Sequence, residues 1–95
     1  MANRAITQLL DRVRGGDELA RDSLFALAYE ELRRLARSRL REGGRNTMLC
    51  TTDLVHDSYL RLMRGGELRA EDRRAFFGYA SRVMRSVIVD SAREA

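Results

Sequence analysis

The sequence contains little of what most small enzymes and secreted domains depend on. Its 95 residues include no proline, no tryptophan, one cysteine and one histidine. The single Cys50 cannot form an internal disulfide bond, so the fold must be stabilised by a core rather than by crosslinks. There is also no glycine-rich phosphate loop after a strand, and no convergent set of acid, base and nucleophile. The sequence therefore predicts a protein that is not an enzyme.

Long apolar runs are missing too. Every stretch of consecutive apolar residues is far shorter than the about 20 residues that a membrane-spanning helix needs. The N-terminal residues lack the hydrophobic core of a secretory signal. We therefore expect a cytoplasmic protein with no membrane partner.

Lysine is absent, and all 18 basic residues are arginines. The formal net charge is +4, but it is unevenly distributed. Residues 33–45 hold six arginines against Glu42 alone, a local balance of +5. Arginine stays charged and binds phosphate or carboxylate through two hydrogen bonds. This local excess of positive charge predicts an anionic partner, with nucleic acid as the first candidate.

Three glycine pairs interrupt the chain, at residues 15–16, 43–44 and 65–66. Glycine tolerates the left-handed conformation that commonly ends a helix. The pairs therefore predict four helical segments, with the N-cap residues Asp17, Thr52 and Asp72 before the last three. No segment alternates like a strand. The fold class is predicted as all-α, a compact bundle of three to four helices with these bounds: about 4–14, 18–41, 52–64 and 73–93.

The third segment, TTDLVHDSYLRLM at residues 51–63, has two usable faces. Helical spacing groups Val55, Ser58, Tyr59, Leu62 and Met63, with Leu54 at the edge, on a side that would pack against a core. The opposite side is charged but has a large apolar residue at its centre. That combination is typical of a protein-binding face, while a solvated face with pairs such as Asp57–Arg61 is the alternative. The opposite side consists of Asp53, His56, Asp57, Leu60, Arg61 and Arg64.

A metal site on this segment is the other possibility that the residue types raise. Asp53, His56 and Asp57 lie within one helical turn. Two carboxylates and one imidazole from a single helix rarely complete a site without ligands from elsewhere. We therefore expect neither a bound metal nor a cofactor.

The fourth segment carries a row of arginines beside its apolar stripe. This face follows successive spacings of three and four, through Arg74, Gly78, Arg82, Arg85, Val89 and Arg93. Such a row can follow a phosphate backbone, or it can be a solvated basic face that is partly paired with acids such as Asp90. The closely spaced aromatic residues at 76, 77 and 79 cannot all face inward. At least one displayed ring is therefore expected, and it could stack on an unpaired base.

Taken together, these motifs resemble the second, promoter-melting domain of an extracytoplasmic-function (ECF) sigma factor of bacterial RNA polymerase. The resemblance covers nearly the whole chain. Within the ECF factors, the chain is most similar to the ECF-like branch that carries a "LVHEAYLRL"-type helix. It rests on three strings in the order of the family: ITQLLDRVRGGDELARDSLFALAYEELRRLARSRLR (6–41), TTDLVHDSYLRLM (51–63) and RRAFFGYASRVMRSVIVDSAR (73–93).

The resemblance implies a role for each segment. The helix at 52–64 would bind the clamp helices of the polymerase β′ subunit through Asp53, His56, Asp57, Leu60, Arg61 and Arg64. The loop at 65–74 and the fourth helix would recognise and melt the promoter −10 element and capture a flipped base of the non-template strand. The residues implied to face DNA are Arg73, Arg74, Phe77, Tyr79, Arg82, Arg85, Ser86, Val89 and Arg93.

Two further expectations follow from the same resemblance. The helix-turn-helix domain that reads the −35 element in the family, its fourth domain, has no counterpart in these 95 residues, so we expect an isolated second domain. An anti-sigma factor is a possible additional partner. The alternative function is a helical interaction domain that binds polymerase or an anti-sigma factor without binding DNA.

Overall fold

The protein is built from four helices, in a computed structural model that describes residues 2–43, 49–64 and 70–94. They are α1 (Ala2–Arg14), α2 (Glu18–Gly43), α3 (Thr51–Met63) and α4 (Arg73–Glu94). No strand occurs in those ranges. The predicted all-α fold class is therefore confirmed, with four helices. None of the helices, as far as they are described, combines the length and apolar character that crossing a membrane requires.

The core forms where the apolar stripes of all four helices meet. Burial follows the three-and-four spacing of each helix, because a stripe at that spacing stays on one side of the helix. In α3, Leu54 is fully buried rather than at the edge of the stripe. The largest fully buried side chains are Phe76, Leu10, Leu24, Leu32, Leu54, Met84, Val55 and Ser58.

Two of the three predicted N-caps hold their helices. Asp17 Oδ1 accepts hydrogen bonds from the backbone N–H groups of Leu19 (3.0 Å) and Ala20 (3.3 Å). Asp72 Oδ1 accepts one from the N–H of Ala75 at 2.9 Å. The Arg12 guanidinium binds Asp17 Oδ2 at 2.8 Å, and this hydrogen bond is the main cause that lowers the pKa of the Asp17 carboxyl.

The third predicted N-cap, Thr52, is wrong. Helix α3 begins one residue earlier, and Cys50 is its N-cap, with an extended backbone at φ −93° and ψ 168°. Its Sγ accepts a hydrogen bond from the N–H of Asp53 at 3.5 Å. Thr52 instead uses its hydroxyl to accept a hydrogen bond from Arg33 of α2 at 3.0 Å. Because that partner is distant in sequence, the local capping pattern could not indicate it.

The glycine pairs end the helices in different ways. Gly16 has a φ of 91°, the left-handed conformation predicted for the end of α1. Helix α2 extends through Gly43. Helix α3 ends before its glycine pair, because Arg64 already has an extended backbone. Gly44, Gly65 and Gly66 lie outside the described residues.

Polar contacts between helices fix how the outer faces sit on this core. The Tyr59 hydroxyl of α3 donates a hydrogen bond to the Arg21 carbonyl of α2 at 2.5 Å. Arg39 Nε of α2 donates to Ser81 Oγ of α4 at 2.9 Å. Helix α2 therefore supports both α3 and α4.

Candidate functional site

The outward face of α3 contains all six residues predicted to bind a partner. Asp53, His56, Asp57, Leu60, Arg61 and Arg64 are all exposed. Leu60 is 64 % exposed, one of four large hydrophobic residues with high exposure in the described part of the chain. Leu54, Val55, Ser58 and Leu62 hold the opposite side of the helix in the core. Helix α3 thus presents an apolar centre surrounded by charges of both signs.

One ion pair on this face connects it to the next helix. Arg61 binds Asp90 of α4, with 2.9 Å between the guanidinium and carboxylate. Among the described residues, the ion pair of Arg61 is thus formed with Asp90 and not with Asp57, the partner that a solvated face would have used. Arg61 therefore reaches across from α3 to an acid of the neighbouring helix.

An apolar groove runs beside the α3 face. Its lining is mainly aromatic and aliphatic, with two charged residues of α2. The lining residues are Phe25, His56, Tyr59, Leu60 and Met63, together with Arg21 and Asp22. The Phe25 ring lies 4.6 Å from the Tyr59 ring and 5.4 Å from the His56 ring, measured between centroids. Burial of the Tyr59 hydroxyl raises the pKa of that group. The groove extends the apolar centre of the α3 face onto α2.

The outward face of α4 carries the predicted arginine row. Arg74, Arg82, Arg85 and Arg93 are exposed, as is Ser86. Val89 is 41 % exposed among them. Tyr79 is half-buried, and the Arg82 guanidinium lies 5.8 Å from the centre of its ring. This face offers several cations and one accessible aromatic ring.

Two residues predicted to face DNA are turned toward the protein instead. Phe77 is only 8 % exposed and packs against the Phe76 ring at 5.1 Å. The Arg73 guanidinium lies 4.9 Å from the Phe77 ring and 3.8 Å from the Glu31 carboxylate. Arg73 Nε is buried without a hydrogen-bond partner among the described residues. The expectation of a displayed Phe77 fails because position 77 shares the inward stripe with Ala80 and Met84.

The loop before α4 is anchored at its C-terminal end. Ala70 is 2 % exposed, and its carbonyl accepts a hydrogen bond of 2.5 Å from the Arg14 guanidinium of α1. Glu71 and Asp72 are exposed. The loop predicted to select a base spans 65–74, and residues 65–69 lie outside the described residues. The described part thus fixes where the loop enters α4.

No metal centre is evident in the described ranges. Asp53, His56 and Asp57 share the exposed face of α3, but no group of three or more histidine, cysteine, aspartate or glutamate side chains within 2–43, 49–64 and 70–94 could hold an ion.

Comparison with models of protein families gives a match over almost the whole chain. The sequence model of one family, described as ECF sigma factor, matches residues 3–95. The chain belongs to the ECF sigma factor family. Members of this family are transcription initiation factors and not enzymes, and their partners are core RNA polymerase and promoter DNA. Comparison with curated proteins and with solved structures gives no match in either set.

Sequence reasoning missed the contribution of α2 to both faces of this ECF sigma factor. Arg39, Glu42, Arg85, Ile88 and Val89 line a groove between α2 and α4, so the arginine row of α4 continues onto α2. Phe25 likewise extends the α3 face. The +5 segment at 33–45 indicated a basic α2, but periodicity alone could not show which helix lies beside which arginine.

Proposed function

We propose that this ECF sigma factor domain uses α3 to bind the β′ clamp helices of core RNA polymerase. In the same proposal, α4 and the loop before it bind and melt the promoter −10 element, and the protein acts in the cytoplasm. The observation that carries the proposal is the exposed Leu60 at the centre of a ring of charges. An apolar anchor inside a polar rim is the arrangement that protein interfaces favour.

Three features support the α3 part of the proposal. The six face residues Asp53, His56, Asp57, Leu60, Arg61 and Arg64 are exposed together. The groove at Phe25 and Tyr59 gives an apolar partner side chain a place to pack. The charges of both signs can pair with complementary charges on a partner and fix its orientation.

The composition of the α4 face supports the DNA part. Its exposed guanidinium groups can contact phosphates, which position a protein on DNA without reading sequence. Tyr79 is the ring that remains accessible for stacking on an unpaired base. The proposed DNA-facing set is therefore Arg74, Tyr79, Arg82, Arg85, Ser86, Val89 and Arg93, without the inward-turned Arg73 and Phe77.

The α3 part is tested with one apolar-to-charged substitution and a matched control. Leu60→Asp should abolish capture of a β′ clamp-helix fragment while circular dichroism stays unchanged. Leu19→Asp makes the same change at a residue of α2 that is 75 % exposed and lies outside the face, so it should leave capture intact. Undiminished capture by a folded Leu60→Asp variant would exclude the α3 face.

The α4 part is tested with single-stranded −10-like DNA by fluorescence anisotropy over a range of salt concentrations. For a single strand, the log–log salt slope falls by about 0.7 for every phosphate that the protein no longer neutralises. Arg82→Ala with Arg85→Ala should therefore lower it by about 1.4. As a control, Arg4→Gln with Gln8→Glu removes the same net charge from exposed positions of α1.

The two tests together separate the proposal from its alternative. A domain that binds polymerase or an anti-sigma factor without DNA would lose its partner on Leu60→Asp but would show no effect of the α4 substitutions. The proposal requires in addition that the α4 substitutions weaken DNA binding and lower its salt slope while clamp binding is retained.

A further inference from the structure

The C-terminal half of α2 carries a second group of arginines, on the side that faces the start of α3. Arg34, Arg37 and Arg41 line a groove there together with Leu40 and Thr51. All three arginines are exposed. We call this surface the α2 arginine groove. It is separate from the groove between α2 and α4, which Arg39 lines.

The charge of the α2 arginine groove is largely uncompensated. No acidic side chain of the described residues lines it. Arg34 has an exposed pair with Glu31 at 3.3 Å, whereas Arg37 and Arg41 have no acidic partner in the part of the chain that is described. The N-terminus of α3 at Thr51 adds the positive end of a helix dipole. The surface therefore favours an anion with several charges.

The residues that line the groove indicate which anion fits. The large hydrophobic residues with high exposure in the described ranges are Leu19, Leu27, Leu60 and Val89, and none of them lines this groove. A protein-binding face would need such an apolar centre. No aromatic ring from those ranges lines it either, so it lacks the platform that unpaired bases stack on. Besides the partly buried Leu40, the lining consists of three guanidinium groups and the Thr51 hydroxyl, all of which can bind phosphate.

The spacing of the arginines fits an extended backbone rather than a single phosphate. Arg34, Arg37 and Arg41 follow one another along one side of α2, over about 10 Å of helix axis at 1.5 Å per residue. The phosphates of one DNA strand are about 3.4 Å apart along the duplex axis. The row can therefore contact several phosphates of one strand.

We infer that the α2 arginine groove binds the sugar–phosphate backbone of double-stranded DNA without reading its sequence. This contact is distinct from the α4 face, because α4 packs on another side of α2, where Arg39 binds Ser81. Glu31 lies between the two sides and pairs with both Arg34 and Arg73. It does not depend on the proposed melting of the −10 element.

The test measures binding of the 95-residue chain to a fluorescent DNA duplex of random sequence. For B-form DNA, the log–log salt slope falls by about 0.9 for every phosphate that the protein no longer neutralises. Arg37→Gln with Arg41→Gln should therefore lower the slope by about 1.8 and weaken binding, most strongly at low salt. The control is Arg4→Gln with Gln8→Glu, which removes the same net charge from α1 and should change the slope much less.

Any of the following results would overturn the inference. Equal slope changes in the two variants would show that only net charge matters. An unchanged slope in Arg37→Gln with Arg41→Gln, or no duplex binding by the native chain at low salt, would show that the groove does not bind DNA. Loss of polymerase binding in this variant, with duplex binding intact, would identify the groove as a protein-binding surface. Thermal melting of both variants checks that these exposed substitutions leave the fold intact.

Discussion

Helices α3 and α4 lie side by side on one core, yet their outward faces have different compositions. The α3 face balances Asp53 and Asp57 against Arg61 and Arg64 around the exposed Leu60. The α4 face is dominated by arginines, and Asp90 is the one acid within residues 73–93. Balanced charge around an apolar centre suits a protein partner, whereas charge of one sign suits phosphate. Two adjacent helices can thus bind two chemically different partners.

The two faces are also joined. The Arg61–Asp90 pair links the rim of the α3 face to the one acid of the α4 arginine row. Helix α2 lies beneath both, through the Tyr59–Arg21 and Arg39–Ser81 hydrogen bonds. The two faces therefore share a core and an ion pair, while the composition of their exposed side chains separates them.

The largest expected effect comes from the core that both faces share. Phe76 is fully buried, and Phe76→Ala should lower the free energy of unfolding by about 3–5 kcal/mol because it leaves a cavity. Binding of the clamp fragment and of DNA should then fail together. Urea denaturation measures the loss. Tyr79→Ala, at a half-buried ring of the same helix, should cost less, and an equal cost would contradict a core centred on Phe76.

The next effect concerns base selection, which we assign to the loop before α4 and not to the arginine row of α4. Residues 65–74, grafted into a full-length family member, should carry their own −10 base preference, because arginines that contact phosphate do not read sequence. A mismatched base typically costs about 1–3 kcal/mol. Transcription from a library of −10 variants measures the preference. Grafting residues 82–93 should change the salt dependence instead, and a preference that moves with that graft would refute the assignment.

A smaller effect tests how α3 rests on α2. Tyr59→Phe removes the hydrogen bond to the Arg21 carbonyl and should cost about 1 kcal/mol of unfolding free energy, measured by urea denaturation. Tyr79→Phe is the control on α4, and an equal cost there would show that the Tyr59 hydrogen bond is not the source of the effect.

Tyr59 should also make the stability of the fold depend on pH. Burial is the main cause that raises the pKa of Tyr59 above its usual value of 10.0. The native state therefore keeps a proton that the unfolded chain loses, and stability should fall as the pH rises above about 10. Thermal melting at alkaline pH should show a shallower fall for Tyr59→Phe. Parallel curves for the two proteins would exclude Tyr59 as a source of the alkaline loss.

The smallest expected effect is the coupling energy of the Arg61–Asp90 pair, which links the two faces. Arg61 and Asp90 are 39 % and 47 % exposed, so solvent screens their pair, and a double-mutant cycle with alanine should give a coupling of about 0.2–1 kcal/mol. A coupling of zero would leave the two faces energetically independent. The cycle is measured by urea denaturation, with Arg61→Ala, Asp90→Ala and the double variant.

Periodicity and turn chemistry alone predicted most of the helices and the orientation of α3. The stripe that contains Val55, Ser58 and Leu62 had to face inward, because helical spacing keeps it on one side whatever it packs against. The capping roles of Asp17 and Asp72 were also predictable, since an N-cap bonds to N–H groups two or three residues away. These are local interactions, and the local sequence is enough to specify them.

Contacts between helices were decided only by the tertiary structure. Arg61 is close enough to Asp57 for a pair within α3, but packing brings Asp90 to it instead. Thr52 is a good N-cap by type, but Arg33 of α2 engages its hydroxyl while Cys50 caps the helix. Side-chain spacing specifies the direction in which a residue points along its own helix, whereas its partner depends on how the whole chain brings the other helices together.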